Sequence, residues 1–93
     1  MQQTELFIQA IADYFDQSVA TASDDQLFAA GYLRGHVDLA VGTLQLSAAE
    51  FSQIELVQQV EQSLQQAITA GELTPPDESL VRQIWTELQQ LAV

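Results

Sequence analysis

The chain predicts an all-α protein, a four-helix antiparallel up-down bundle, and three observations carry that prediction. Apolar residues return at three- and four-residue spacing in four successive segments. Capping and stopping residues stand between those segments. No strand, linker, repeat or low-complexity stretch competes with them. At 93 residues there is room for one domain, 1–93, with a modest core that buries roughly 60 to 65% of the unfolded surface. A deep catalytic cleft is hard to fit in so small a body.

The first helix is expected over about 4–20, with Phe7, Ile11, Tyr14, Phe15 and Val19 on one face and Glu5, Gln9, Asp13 and Asp16 opposite. Ala20-Thr21-Ala22-Ser23 interrupts it. Ser23 with Gln26 then forms a capping box, in which hydroxyl and amide satisfy orphan backbone donors. Asp24 and Asp25 suit the positive end of the dipole of a second helix, 24–46. Ser47 with Glu50 repeats the capping pattern and predicts a third helix over 48–70. Its stripe is Phe51, Ile54, Val57, Val60, Leu64, Ala67 and Ile68, and Gly71 is a natural left-handed stop. Leu73 is placed to fold back on that end. Thr74 as cap, Pro75 in the first turn and Asp77 facing the dipole open a fourth helix, 75–92. Leu80, Val81, Ile84, Trp85, Leu88 and Leu91 form its buried face. Short connections favour antiparallel neighbours, which gives the up-down arrangement.

The second helix is the unusual one. At about 100° per residue, Phe28, Tyr32, Leu39 and Leu46 share one side, and Leu33, Val37, Ala40 and Leu44 an adjoining side. A helix apolar over so much of its circumference is expected at the centre of the bundle, touching several neighbours. Gly31, Gly35 and Gly42 form a stripe beside Phe28. A helical glycine costs roughly 0.5 to 1 kcal/mol relative to alanine, so three of them suggest close approach by another backbone or a large side chain. Trp85 is the obvious candidate to lie over them. The alternative is a groove open to a ligand or a partner helix.

The same helix holds Arg34 and His36, one of two arginines and the only histidine. His36 falls between the apolar sides, which points to a buried neutral imidazole bonded to Tyr32 or to a carboxylate. The sharper reading is a general base, a ligand group or a pH switch, because imidazole titrates near neutrality. No serine has the local setting of an activated nucleophile, and there is no cysteine. Arg34 and Asp38 are one turn apart and can pair, as can Glu78 and Arg82. Arg34, nearly alone among acids, is also suited to receive a carboxylate or phosphate. His36 and Asp38 diverge by about 160° on a helix and cannot grip one ion, so no metal is expected. No cofactor is expected either.

Charge narrows the partners. Thirteen acids against two arginines give a formal net charge of −11. Replacing phosphate counterions needs cations this chain does not have, so nucleic acid and anionic membrane are disfavoured. The acids are dispersed, as in an ordinary solubilising surface, though the balance also suits a basic protein partner. The opening residues lack a basic start and an apolar run, and no stretch reaches the ~18 apolar residues of a membrane span, so a cytoplasmic location is expected.

The run Ser23-Asp24-Asp25-Gln26-Leu27-Phe28-Ala29-Ala30-Gly31-Tyr32-Leu33-Arg34-Gly35-His36 resembles the signature of the YfcL-like family of small bacterial proteins. Gln62-Ser63-Leu64, then Ala70-Gly71-Glu72-Leu73-Thr74-Pro75, Leu80-Val81 and Ile84-Trp85 are similar in the same register. The resemblance covers roughly half the chain. It departs at Pro75-Pro76, where the family has one proline, which leaves the helix start intact. It implies a small cytoplasmic helical protein of uncharacterised function, and carries no activity, cofactor or catalytic residue to transfer.

Two functions follow as expectations. The first is a non-catalytic protein-interaction module, anchored by Tyr32, Arg34 and Trp85, since tyrosine, tryptophan and arginine dominate binding hot spots. The second is a binder of a small anionic ligand, or a minor enzyme, using Arg34 and His36. A homodimer is compatible with both.

Overall fold

The computed structural model describes residues 2–47 and 50–92. Among these residues there are four helices and no strand: α1 (Gln2–Ser18), α2 (Asp24–Ser47), α3 (Gln53–Thr69) and α4 (Pro75–Gln89). Side-chain contacts join the helices. Arg82 and Trp85 of α4 meet Glu61 of α3, and Arg82 also reaches Gln65. Tyr14 of α1 meets Glu87 of α4, and Arg34 of α2 meets Asp16 of α1. Successive helices run antiparallel, as the short connections require.

The ring is squeezed along one diagonal. The closest backbone approaches are those of α2 to α4 and to α3, and the molecule measures 36 × 31 × 19 Å. Side-chain size accounts for this. The inner face of α2 carries Ala29, Ala30 and Ala40, which let other helices come near. α1 enters the core through the rings of Phe7 and Phe15, which hold its backbone further out. Leu33, Leu56, Leu64, Trp85 and Leu88 fill the centre.

The ends follow local chemistry. Ser23 and Gln26 form the reciprocal box that opens α2: the Ser23 N–H donates to Gln26 Oε1 at 2.9 Å, and the Gln26 N–H to Ser23 Oγ at 3.2 Å. α3 closes in a Schellman arrangement. The Glu72 N–H reaches Ala67 O, the Gly71 N–H reaches Ile68 O, and Gly71 takes a φ of +79°. Leu73 then turns back onto the core. Thr74 caps α4, accepting from the Asp77 N–H.

Three expectations are corrected here. Ser47 does not cap α3: it is the last residue of α2, and the cap is Ser52, whose Oγ accepts from the Glu55 N–H at 3.1 Å. The expected start at Ala48 lies outside the described residues, and Glu50 to Ser52 are not helical. The buried stripe of α3 is Leu56, Val60, Leu64 and Ala67, while Ile54, about 160° round the helix from Leu56, is 69% exposed. Val19 lies beyond the end of α1 and is also exposed.

Candidate functional site

The expected site residues sit on α2, and helical geometry distributes them to different sides of it. Arg34 faces α1. Its Nη1 donates to Asp16 Oδ1 at 3.2 Å, and its guanidinium lies 5.6 Å from the centre of the Phe15 ring. The pair with Asp38 is replaced by this one across the helix interface. His36 faces α3, where Nδ1 stands 2.5 Å from Ser63 Oγ, and its ring packs against Tyr32 at 4.9 Å. Two residues apart on a helix diverge by about 160°, so the geometry that separates His36 from Asp38 equally separates Arg34 from His36. They line different clefts or none in common: Arg34 borders one of about 180 Å³ with Ile8 and Gly42, whereas Ser63 borders another of about 240 Å³ with Leu39 and Gln66. The pair does not form one binding site.

The His36 and Ser63 contact has the spacing of a base and a nucleophile. Ser63 nevertheless stands in the middle of α3, where each backbone N–H is used within the helix. The backbone beside it therefore offers no free donors for a developing oxyanion. The contact is a hydrogen bond tying α2 to α3.

Trp85 is not a surface anchor. It is 1% exposed, and its Nε1–H donates to Glu61 Oε2 at 2.7 Å. The other Glu61 oxygen takes Arg82 Nη1 at 2.5 Å, and Arg82 Nη2 donates to Gln65 at 3.0 Å. Arg82 thus pairs with α3 rather than with Glu78 one turn away. One carboxylate satisfies both a buried indole and a half-buried guanidinium, which locks α3 to α4.

Two tyrosines make similar ties. Tyr14 donates to Glu87. That hydrogen bond, with partial burial and the Glu87 charge behind it, pushes the Tyr14 phenol up to about 12. Tyr32 donates to Glu72 Oε1 at 2.9 Å. Its phenol is also pushed up to about 12, first by burial and then by the Glu72 bond and charge.

The glycine stripe is open. Among the described residues, nothing lies within 4 Å of a Cβ built on Gly31, Gly35 or Gly42. The close-packing expectation fails, and Trp85 does not cover them. The residues beside them are open too: Phe28 is 53% exposed, Leu39 65% and Leu46 93%. α2 therefore buries Ala29, Leu33, Val37 and Ala40 on one side and presents a second apolar face to the outside. The sequence pattern had marked both faces as apolar. It had not shown that only one has a partner within the chain, because periodicity reports which residues share a side and not what lies opposite.

A third cleft, about 300 Å³, opens between the ends of α1 and α4 and the start of α2. Tyr14, Gln26, Leu80 and Glu87 are among its lining residues. Among the described residues, no three of His, Cys, Asp and Glu converge as a metal site would require, no buried polar side chain lacks a partner, and no helix is long and apolar enough to cross a membrane.

These features define a small, strongly acidic helical bundle whose conspicuous surface is a smooth apolar helix face. The chain belongs to the YfcL family, described as YfcL protein, whose sequence pattern matches residues 5–90. It is 46% identical over 86 residues to "Uncharacterized protein YfcL" of Escherichia coli (strain K12), an alignment that spans 92% of each chain. No solved structure matches. The match extends well beyond the central run read from the sequence and takes in α1 and the segment 47–61.

Proposed function

We propose that the protein is a non-catalytic interaction module that docks a protein partner on the exposed face of α2. The observation that carries this reading is the second apolar face itself. Phe28, Leu39 and Leu46 stand open beside three glycines that have room for a side chain. Leaving large apolar side chains in water forgoes roughly 1.5 to 3 kcal/mol for each one that a partner would bury, and apolar patches of this kind mark interaction sites. The anchors move accordingly. Tyr32 stays beside the face, in ring contact with Phe28 at 6.3 Å, whereas Arg34 and Trp85 are engaged elsewhere and give way to Phe28 and Leu39. The location is taken to be cytoplasmic.

Photo-crosslinking in bacterial cells tests the reading. A photoreactive residue at Leu39 or Phe28 is expected to give discrete protein adducts, and one at Ile54, equally exposed on α3, is expected to give none. Adducts as abundant at Ile54 as at Leu39, or none at Leu39, would remove the docking face from α2.

A further inference from the structure

The exposed face of α2 has an internal order that names its occupant. Phe28, Tyr32, Gly35, Leu39, Gly42 and Leu46 follow one another at spacings of four, three, four, three and four. That is the 3.5-residue repeat of a coiled-coil seam. Large and small residues are distributed along it in a particular way. When a second α2 is laid antiparallel across the first with the two-fold axis at the level of Val37, Leu39 of each copy falls opposite Gly35 of the other. Tyr32 then falls opposite Gly42, and Phe28 opposite Leu46 at both ends. The two central layers on each side of the axis therefore match a large side chain with a vacant glycine surface. All three glycines of the helix have open space at their Cβ positions, so a second backbone can approach there.

We infer that the occupant of this face is a second copy of the chain, in an antiparallel, two-fold symmetric α2–α2 contact. The inference rests on the reading of the α2 face as a docking surface and deepens it. A two-fold contact must be self-complementary, and with the axis at Val37 all six seam residues are paired, tyrosine and leucine each facing a glycine in the four inner layers. The seam carries no charged residue, so it holds nothing that selects a basic helix over its own copy. Asp38 lies on one edge of the seam, and the two-fold brings both copies of that residue to the same edge near the axis. Together with the net charge of −11, this makes association tighter as salt is added. The seam is about 27 Å long from Phe28 to Leu46 and about 10 Å wide. That is small beside the ~800 Å² per partner of a standard interface, so the dimer is a weak, reversible one.

The test uses the purified full chain in sedimentation velocity over a wide concentration range at moderate salt. The mass is expected to rise from 10.2 kDa toward twice that value. Leu39→Glu, at an exposed position, is expected to stay at the lower mass with an unchanged circular dichroism spectrum, and Ile54→Glu to dimerise like the wild type. The chain has no cysteine, so single cysteines report direction. In the proposed register the two copies of residue 38 are offset by roughly 3 Å along the axis, against roughly 18 Å for residue 31 and 24 Å for residue 45. Asp38→Cys is expected to give a disulfide-linked dimer on oxidation, and Gly31→Cys and Gln45→Cys are not.

A wild type that is monomeric throughout overturns the inference, as does loss of the dimer in Ile54→Glu, or equal cross-linking at 31, 38 and 45. If the pure protein is monomeric while the Leu39 photoprobe captures a discrete foreign protein, the dimer falls and the interaction module stands. If there is neither a dimer nor an adduct, both fall.

Discussion

Alanine at the glycines of α2 should make the protein more stable, against the usual direction for a change at an unusual residue. Gly31, Gly35 and Gly42 are helical, and a Cβ at each meets nothing within 4 Å among the described residues. The new methyl group therefore brings no clash, and the substitution reduces only the backbone freedom lost on folding. The expected gain is about 0.5 to 1 kcal/mol per site, or roughly 2 to 8 °C in Tm for a domain of this size. Gly31 and Gly42 are about 16 Å apart along the helix, so their gains should add. Gly71 is the internal control. It also has space around it, but its φ of +79° is one that a Cβ disfavours, so Gly71→Ala should cost about 1 kcal/mol or more. The assay is urea unfolding of the single variants at a protein concentration where sedimentation shows the monomer, so that self-association does not contribute. A loss of stability in Gly31→Ala or Gly35→Ala would show that something covers the stripe within the protomer, and the docking face would go with it.

Further outcomes are expected elsewhere in the bundle. Ser52→Ala should cost about 0.5 to 2 kcal/mol in the same unfolding experiment by removing the α3 cap, while Ser47→Ala stays within about 0.5 kcal/mol; the opposite order would restore Ser47 as the cap. Alkaline difference absorbance should show Tyr14 and Tyr32 ionising up to about 12 rather than at 10. Since the unfolded phenols ionise first, their contribution to stability is whole below pH 10 and is lost as pH rises from 10 to 12. Glu87→Gln should bring the Tyr14 midpoint down, and an unmoved midpoint would mean that the carboxylate does not hold the phenol. Moderate sodium chloride should raise Tm by screening a net charge of −11, because the Arg34–Asp16 and Arg82–Glu61 pairs are partly exposed and lose little. A melt that falls with salt would reverse that balance.

The helical plan of this chain was legible because its punctuation is local. Ser23 with Gln26, Gly71, and Thr74 with Pro75 act on backbone groups within a few residues of themselves, and each does what its type predicts. The one failure of that kind, Ser47 for Ser52, arose because two serines five residues apart both precede a glutamate at capping distance. Only the continuation of α2 through Ser47 distinguishes them. The site was less legible because it depends on what lies across a helix. Trp85 and Leu39 are both large and apolar on periodic stripes, yet one is enclosed by Glu61 and Arg82 and the other faces outward. The separation of Arg34 from His36, by contrast, follows from residue spacing alone.

The large rings by which α1 reaches the core have a dynamic consequence. α1 has fewer close backbone approaches than α2 has with its neighbours and holds its place mainly through Phe7, Ile11 and Phe15. Among the described residues, its side-chain ties to the rest of the chain include the Thr4 bond to Phe51 O, just before α3, and the contacts of Tyr14 and Asp16. Opening α1 therefore breaks a row of apolar contacts while leaving the α2–α3–α4 ties at His36, Glu61 and Arg82 intact, so the chain divides into a clasped three-helix body and one helix that can lift from it. In native-state hydrogen exchange, the amides of α1 should open at lower free energy than those of α2 and α4. The lifted state would uncover Val37, which borders a cleft with Ile8, Ile11 and Phe15, on the buried side of the same helix whose other side already faces outward.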